Sequence, residues 1–193
     1  MKVTNIEVYD LGQSMFASGY PMQTEIITGG DADQWEATVC RATRLAVRPA
    51  NSGHANFLKG ILVSMDVSGT IKWWEQAQRY HFLTIVSSQS TMHRITQMDP
   101  DKCTSDKVLG STRRYMRQLI ARHVNGDIDF DTLIDNMPLG IVLTARVTTN
   151  YLQLRTIYNQ RKYHKYHEWR PFIEAIRELP YSKEFITIDG ATV

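Results

Sequence analysis

The sequence has few of the features that mark secreted, membrane or metal-binding proteins. Its only two cysteines, Cys40 and Cys103, stand apart and in no CxxC spacing, so neither a disulfide framework nor a zinc finger is expected. No apolar run approaches the ~20 residues that cross a bilayer, and the start MKVTNIEVYD lacks the apolar stretch of a signal peptide. We therefore expect a cytoplasmic protein with no metal site and no membrane contact.

A surplus of one charge and the common catalytic motifs are also absent. The 22 basic and 20 acidic residues give a formal charge of +2, which is too balanced to indicate a surface for duplex nucleic acid. The sequence contains no HExxH, GxSxG, GxGxxG or GxxxxGKS/T motif, so zinc proteases, serine hydrolases, Rossmann folds and P-loop enzymes lack their signatures. A nucleic-acid partner is therefore not expected.

What is present fits a single globular domain over residues 1–193, with 42% hydrophobic and 22% charged residues. Strand-like patterns occur at VTNIEVY near the start, 24–28 and 60–68, and helical patterns at 31–49, 71–82, 107–123 and 149–179. The last helical pattern is broken near Arg170-Pro171, because proline disfavours helix at the residue before it. Short strands interleaved with helices predict an α+β domain.

Two groups of polar side chains, one within the second helical pattern and one shortly after it, are candidates for binding an anion. Gln76 and Arg79 are three positions apart, so on a helix they share one face and can grip an anion or an amide edge. The alternative is an ordinary solvated face. Arg94 follows Ser90 and Thr91, and hydroxyls beside a guanidinium suit a phosphate.

A second candidate site lies between residues 150 and 170. Asn150 and Arg161 fall on one face of the predicted helix, ~16 Å apart along its axis, so one side of the helix can contact both ends of a long ligand. The interleaved Arg, Lys, His and Tyr residues also suit single-stranded nucleic acid. The alternative is an exposed helix whose tyrosines pack on neighbouring elements.

Four stretches between about residues 50 and 170 resemble, in order and spacing, the flavin-dependent thymidylate synthases, which methylate dUMP using FAD. The first three are Gly53-His54 with Phe57, like Gly-His-Glu-x-Pro-Phe; Gln76-x-x-Arg79, like Arg-Gln-x-x-Arg-His-Arg; and Ser90 to Arg94, like the Glu-x-Ser-Gly-Arg phosphate loop. The fourth is Met137-Pro138-Leu139 followed by Asn150 and Arg161, like the Leu-Pro-Leu, Asn and Leu-Arg elements. His167-Glu168-Trp169 resembles the family's Ala-Gln-x-Glu ending.

The resemblance implies a fold, a reaction and a role for each matched residue. The fold is an antiparallel sheet flanked by long helices, and the enzyme is a homotetramer with shared sites. The reaction is methylation of dUMP to dTMP with FAD, NADPH and methylenetetrahydrofolate, and it needs no protein nucleophile. The implied roles are nucleotide contact for Gln76 and Arg79, phosphate binding for Ser90, Thr91 and Arg94, the pyrimidine edge for Arg161, and flavin contact for His54, His81 and Asn150.

The sequence also departs from the family pattern. The residues that differ are Tyr80 and His81 for a His and an Arg, Met92 and His93 for a Ser and a Gly, and Ile134 and Leu152 for two arginines. We therefore expect a nucleotide pocket whose contacts differ from those of the family. Alternatives to dTMP synthesis are then a reaction on dCMP or a hydroxymethyl product. A further alternative is a non-catalytic protein of the same fold that binds nucleotide or single-stranded nucleic acid.

Overall fold

A computed structural model describes residues 1–25, 34–49 and 52–188, and within them the chain forms one four-stranded sheet. The strands are β1 Lys2–Tyr9, β2 Leu62–Thr70, β3 Thr84–Ser88 and β4 Val142–Asn150. They lie in the order β1-β2-β4-β3, and each neighbouring pair is antiparallel. The α+β class with an antiparallel sheet is therefore confirmed.

Helices occupy most of the remaining described residues. They are α1 Leu11–Ala17, α2 Trp35–Ala46, α3 Ile71–Ala77, α4 Thr91–Arg94, α5 Pro100–Cys103, α6 Gly110–Val124, α7 Phe130–Asp135, α8 Tyr151–Arg161, α9 Trp169–Arg177 and α10 Ser182–Phe185. Residues 26–33 fall outside the described part of the chain, and with them most of the strand predicted at 24–28 and the predicted start of the helix at 31. None of the described helices is long and apolar enough to cross a bilayer.

The two faces of the sheet differ in chemistry because side chains alternate along each strand. On β2, Val63, Met65 and Val67 face the main core, where Trp73 and Phe172 are fully buried. The opposite face is polar. There Arg146 of β4 donates to Asp66 at 3.3 Å and to Glu7 at 2.7 Å, which links the three longer strands.

A second, smaller core lies between α6 and α7. Its buried members are Ile95, Met116, Leu119, Leu133 and Ile141. The helix predicted at 107–123 is confirmed as α6, Gly110–Val124.

The helix predicted at 71–82 is shorter than expected. Thr70 caps it by accepting a hydrogen bond from the Trp73 backbone nitrogen at 3.2 Å. The helix ends at Ala77, because the chain then turns so that Tyr80 and Leu83 are buried before β3 begins. Arg79 therefore lies beyond the helix, and the prediction that it shares a helical face with Gln76 is wrong.

The break in the last third of the chain is also placed differently from the prediction. The interruption covers residues 162–168, between α8 and α9, and Pro171 lies in the first turn of α9. A proline is accommodated there because the first backbone N–H groups of a helix have no partner within the helix. The predicted break at Arg170-Pro171 is therefore corrected to the segment before it.

Candidate functional site

Arg161, the last residue of α8, lies half-buried in an aromatic cluster. Its Nε donates a 2.7 Å hydrogen bond to the hydroxyl of Tyr80. Its guanidinium carbon lies 4.9 Å from the ring centre of Trp169 and 5.6 Å from that of Tyr80, which are cation–π distances. Within the described residues, Nη1 and Nη2 of Arg161 form no hydrogen bond or ion pair, so they remain donors for a ligand.

Gln76 reaches the same cluster from α3. Its Oε1 accepts a 3.0 Å hydrogen bond from Nε1 of Trp169, which is completely buried. Glu168, which precedes Trp169 in the sequence, accepts hydrogen bonds from the backbone nitrogen and the hydroxyl of Thr70, at 3.2 and 2.7 Å. The starts of α3 and α9 are thus held together, and Gln76 and Arg161 meet at one tryptophan.

Within the described residues, the predicted phosphate-binding residues take part in none of the side-chain hydrogen bonds or ring contacts of this cluster. Ser90 precedes α4 and is half-buried, as is Thr91, whereas Arg94 and Arg79 are exposed. Neither arginine side chain has a hydrogen bond or ion pair with the part of the chain that the structure describes. Among the described residues, no side-chain hydrogen bond, ion pair or ring contact joins Arg79 or Arg94 to the Arg161 cluster.

Two adjoining cavities lie at the other end of α8. They measure about 400 and 380 Å³, and both are lined by Phe82 and Asn150. Asn150 is the N-cap of α8, where its Oδ1 accepts a 2.8 Å bond from the Gln153 backbone nitrogen. The His81 ring contacts Phe82 edge-on at 4.8 Å between centroids. The structure thus brings two of the predicted flavin contacts, His81 and Asn150, to Phe82.

The third predicted flavin contact, His54, lines a different cavity of about 570 Å³ together with Arg41 and Arg44. Gly53 before it adopts a φ of +75°, which glycine tolerates better than other residues. A single 3₁₀ turn, Asn56–Lys59, contributes Asn56 to this cavity and Lys59 to the 380 Å³ cavity. His54 and Asn150 therefore line different cavities, and this turn contributes one residue to each.

Local electrostatics keep the hydroxyl of Tyr80 protonated. Burial raises the pKa of Tyr80, while the nearby Arg161 opposes the shift. The pKa of His164 is lowered, first by burial and then by the charges of Arg161 and Lys165. No group of three His, Cys, Asp or Glu side chains that can hold a metal ion occurs in the described residues.

Sequence reasoning did not find Tyr80, Phe82 and Trp169 as members of the site. Tyr80 was noted only as a departure from the family pattern, and Trp169 only within the stretch that resembles the family's ending. Nothing in the sequence pairs Trp169 with Gln76, because their contact depends on how α9 packs against α3.

Solved structures with a similar backbone exist although their sequences differ widely. The flavin-dependent thymidylate synthase ThyX of Helicobacter pylori, complexed with FAD and dUMP, matches with a TM-score of 0.74 and 14% identity over 98% of this chain and 99% of that chain. A second structure of the same enzyme with FAD and dUMP gives 0.73 and 14% over the whole of both chains. The chain has the fold of the flavin-dependent thymidylate synthases.

A third match is more remote. The UMP/dUMP methylase PolB of Streptomyces cacaoi, bound with 5-Br dUMP, gives a TM-score of 0.52 and 15% identity over 80% of this chain and 75% of that chain. No protein-family profile and no curated protein sequence matches the chain. The thymidylate synthase fold confirms the resemblance found in the four sequence stretches.

Proposed function

We propose that the protein is a flavin-dependent methyltransferase that acts at C5 of a pyrimidine deoxynucleotide monophosphate, most directly dUMP to dTMP. Its substrates besides the nucleotide are methylenetetrahydrofolate as the one-carbon donor and NADPH as the reductant. The observation that carries the proposal is the arrangement of α8 within this fold. Asn150 at the start of α8 lines the adjoining cavities, and Arg161 at its end is held in the aromatic cluster with Gln76.

Arg161 is the residue that we assign to the pyrimidine edge. Its Nη groups are the hydrogen-bond donors that the cluster leaves open, and its charge favours negative charge on a ring oxygen as C5 becomes nucleophilic. A fixed guanidinium of this kind needs little rearrangement during the reaction. The chain thus contributes by positioning the nucleotide and by the electrostatic field of Arg161, and no nucleophilic side chain is required.

The adjoining cavities suit the flavin ring of FAD. Their volumes lie in the usual range for small-molecule sites, the exposed Phe82 offers a flat apolar surface, and Asn150 offers a polar edge. When bound, reduced flavin supplies the reducing equivalents and relays the one-carbon unit. His54, with Arg41 and Arg44 in the neighbouring cavity, suits the anionic remainder of the cofactor.

We further propose that the site is completed across subunits of a homotetramer. Arg79 and Arg94 are exposed and have no partner within the described residues, which suits groups that reach a nucleotide phosphate held by another copy. The apolar side chains of Val86 and Met92, which lie between Arg79 and Arg94 in the sequence, are 60% and 56% exposed and are candidates for burial between copies.

A second candidate function is nucleotide binding without turnover. Leu152 lines the 380 Å³ cavity and packs against the main core, and Ile134 packs against the smaller core. Both stand where the family pattern has arginine, so two cationic contacts are replaced by apolar ones. The absence of these two cationic contacts also supports two variations of the catalytic proposal, in which dCMP is the substrate or the product carries a hydroxymethyl group.

An absorbance titration tests the cofactor first. Purified protein is mixed with FAD, and dUMP or dCMP is then added while the flavin spectrum is recorded. Formation of dTMP from dUMP with methylenetetrahydrofolate and NADPH supports the enzyme, and spectral perturbation without product supports the second candidate. Absence of both FAD binding and mononucleotide binding would rule out the two candidates. An oligonucleotide affinity that falls steeply with salt would instead point to single-stranded nucleic acid.

Substitution of Arg161 tests its assigned role. Arg161→Ala should weaken mononucleotide binding by roughly 1 to 3 kcal/mol, because a charged hydrogen bond is left unmade. Arg170→Ala is the matched control, since Arg170 is an exposed arginine nearby. Equal mononucleotide affinities for the two variants would show that Arg161 is not part of the nucleotide site.

A further inference from the structure

Two contacts fix the guanidinium of Arg161 before any ligand arrives, and a bond from Tyr80 to Gln160 orients one of them. Tyr80 accepts from Nε at 2.7 Å and donates its own hydroxyl proton to Oε1 of Gln160 at 3.0 Å, so the direction of both bonds is set. The guanidinium carbon lies 4.9 Å from the ring centre of Trp169, a cation–π distance. Nε is thereby occupied and one side of the guanidinium contacts the indole.

The aromatic wall behind Arg161 is itself held in place. Trp169 is fully buried, donates to Gln76 at 3.0 Å, and packs against Trp73 with ring centres 5.1 Å apart. The Tyr80 ring meets Trp169 edge-on at 6.2 Å. A side chain in contact with such a wall has few alternative rotamers, so the position of Arg161 is built into the fold.

We propose that Tyr80 is a positioning residue that turns Arg161 so that its two Nη groups, and not Nε, face the nucleotide. The inference rests on the proposed function and adds a residue to it. A guanidinium presented in this way is a planar fork of donors, which suits a ligand edge with two adjacent acceptors. The phenol stands at the place of a histidine in the family signature, and unlike an imidazole it does not become a cation beside Arg161.

A double-mutant cycle with mononucleotide affinity as the readout tests this inference. Tyr80→Phe keeps the ring and removes the acceptor, and we expect about a fivefold to tenfold loss of dUMP or dCMP affinity with unchanged FAD affinity. In an Arg161→Ala background the same substitution should have no effect, because no side-chain donor remains for Tyr80 to hold. Tyr166→Phe is the matched control, since it removes a nearby hydroxyl that bonds Thr70 at 2.9 Å.

The NMR signal of the Arg161 Nε–H group gives a readout independent of ligand. Tyr80→Phe should shift this signal and speed its exchange with water, whereas Tyr166→Phe should leave it unchanged. Wild-type nucleotide binding that Tyr80→Phe does not alter would overturn the inference and leave the proposed function intact. If the wild type binds no pyrimidine mononucleotide, the proposed function fails and the inference fails with it, whatever the NMR signal shows.

Discussion

Nε1 of Trp169 donates a 3.0 Å hydrogen bond to Oε1 of Gln76, although the two residues are 93 positions apart. The bond crosses from α9 to α3 and is made by an indole that is completely buried. It gives Gln76 a structural role as well as the nucleotide contact assigned to it. The amide nitrogen of Gln76 forms no hydrogen bond within the part of the chain that the structure describes, so the two roles are compatible.

Replacing Gln76 should therefore destabilise the fold. Gln76→Ala leaves a buried indole N–H without an acceptor, and we expect a loss of about 1 to 3 kcal/mol in the free energy of unfolding, measured by urea denaturation. Gln78→Ala is the control, because Gln78 is exposed and follows directly after α3. A similarly small loss of unfolding free energy in both variants would show that the Trp169–Gln76 hydrogen bond contributes little to stability.

Substitutions at Asn150 should separate helix capping from cofactor contact. Asn150→Ala removes the oxygen that caps α8 and should cost about 1 kcal/mol of unfolding free energy. Asn150→Asp retains a capping oxygen, so its stability should stay near that of the wild type. Both variants lose the amide N–H donors, and both should bind FAD more weakly in a fluorescence titration. Wild-type FAD affinity in both would exclude Asn150 from the flavin site.

Two glycines offer a matched pair of alanine substitutions. A methyl group at Gly60 would overlap the hydroxyl of Ser14, which is buried and bonded to Asp10, whereas one at Gly110 meets nothing within 4 Å. Gly60→Ala should destabilise by about 1 to 3 kcal/mol. Gly110→Ala, within α6, should be neutral or stabilise by up to about 1 kcal/mol. Thermal unfolding of both variants checks the contrast, and a stable Gly60→Ala would show that Ser14 moves freely.

Stability should fall in mild acid partly because of His164. Since the pKa of His164 is lowered in the folded state, the unfolded state takes up the proton first as the pH falls below about 6.5. The protonated unfolded state is thereby favoured, so the free energy of unfolding should decrease as pH falls through this range. His164→Asn does not titrate there, and its side-chain oxygen can replace Nδ1 as acceptor for the Tyr166 N–H.

The measurement is the unfolding free energy of wild type and His164→Asn at about pH 7.5 and about pH 5.5. The wild type should lose more stability than the variant over this interval. An equal loss in both proteins would assign the acid sensitivity to other groups.

The local patterns of the sequence predicted several elements of the fold for identifiable reasons. Alternation placed β2, and Thr70 marked the start of α3, because these signals depend only on neighbouring residues. The end of α3 was not predictable in this way, since it depends on the burial of Tyr80 and Leu83. Pro171 predicted a break at Arg170-Pro171, but the break lies at residues 162–168 and Pro171 is in the first turn of α9.

The order and spacing of four short stretches in this sequence were sufficient to suggest the fold, since an order of motifs survives when most side chains have changed. Local patterns and motif order also fixed which residue types were available for binding an anion and a flat ring. The tertiary structure alone decided which of them meet: Gln76 and Arg161 share Trp169, while His54 and Asn150 line different cavities. Such contacts join side chains far apart in the chain, and their geometry depends on how whole elements pack, which no local pattern encodes.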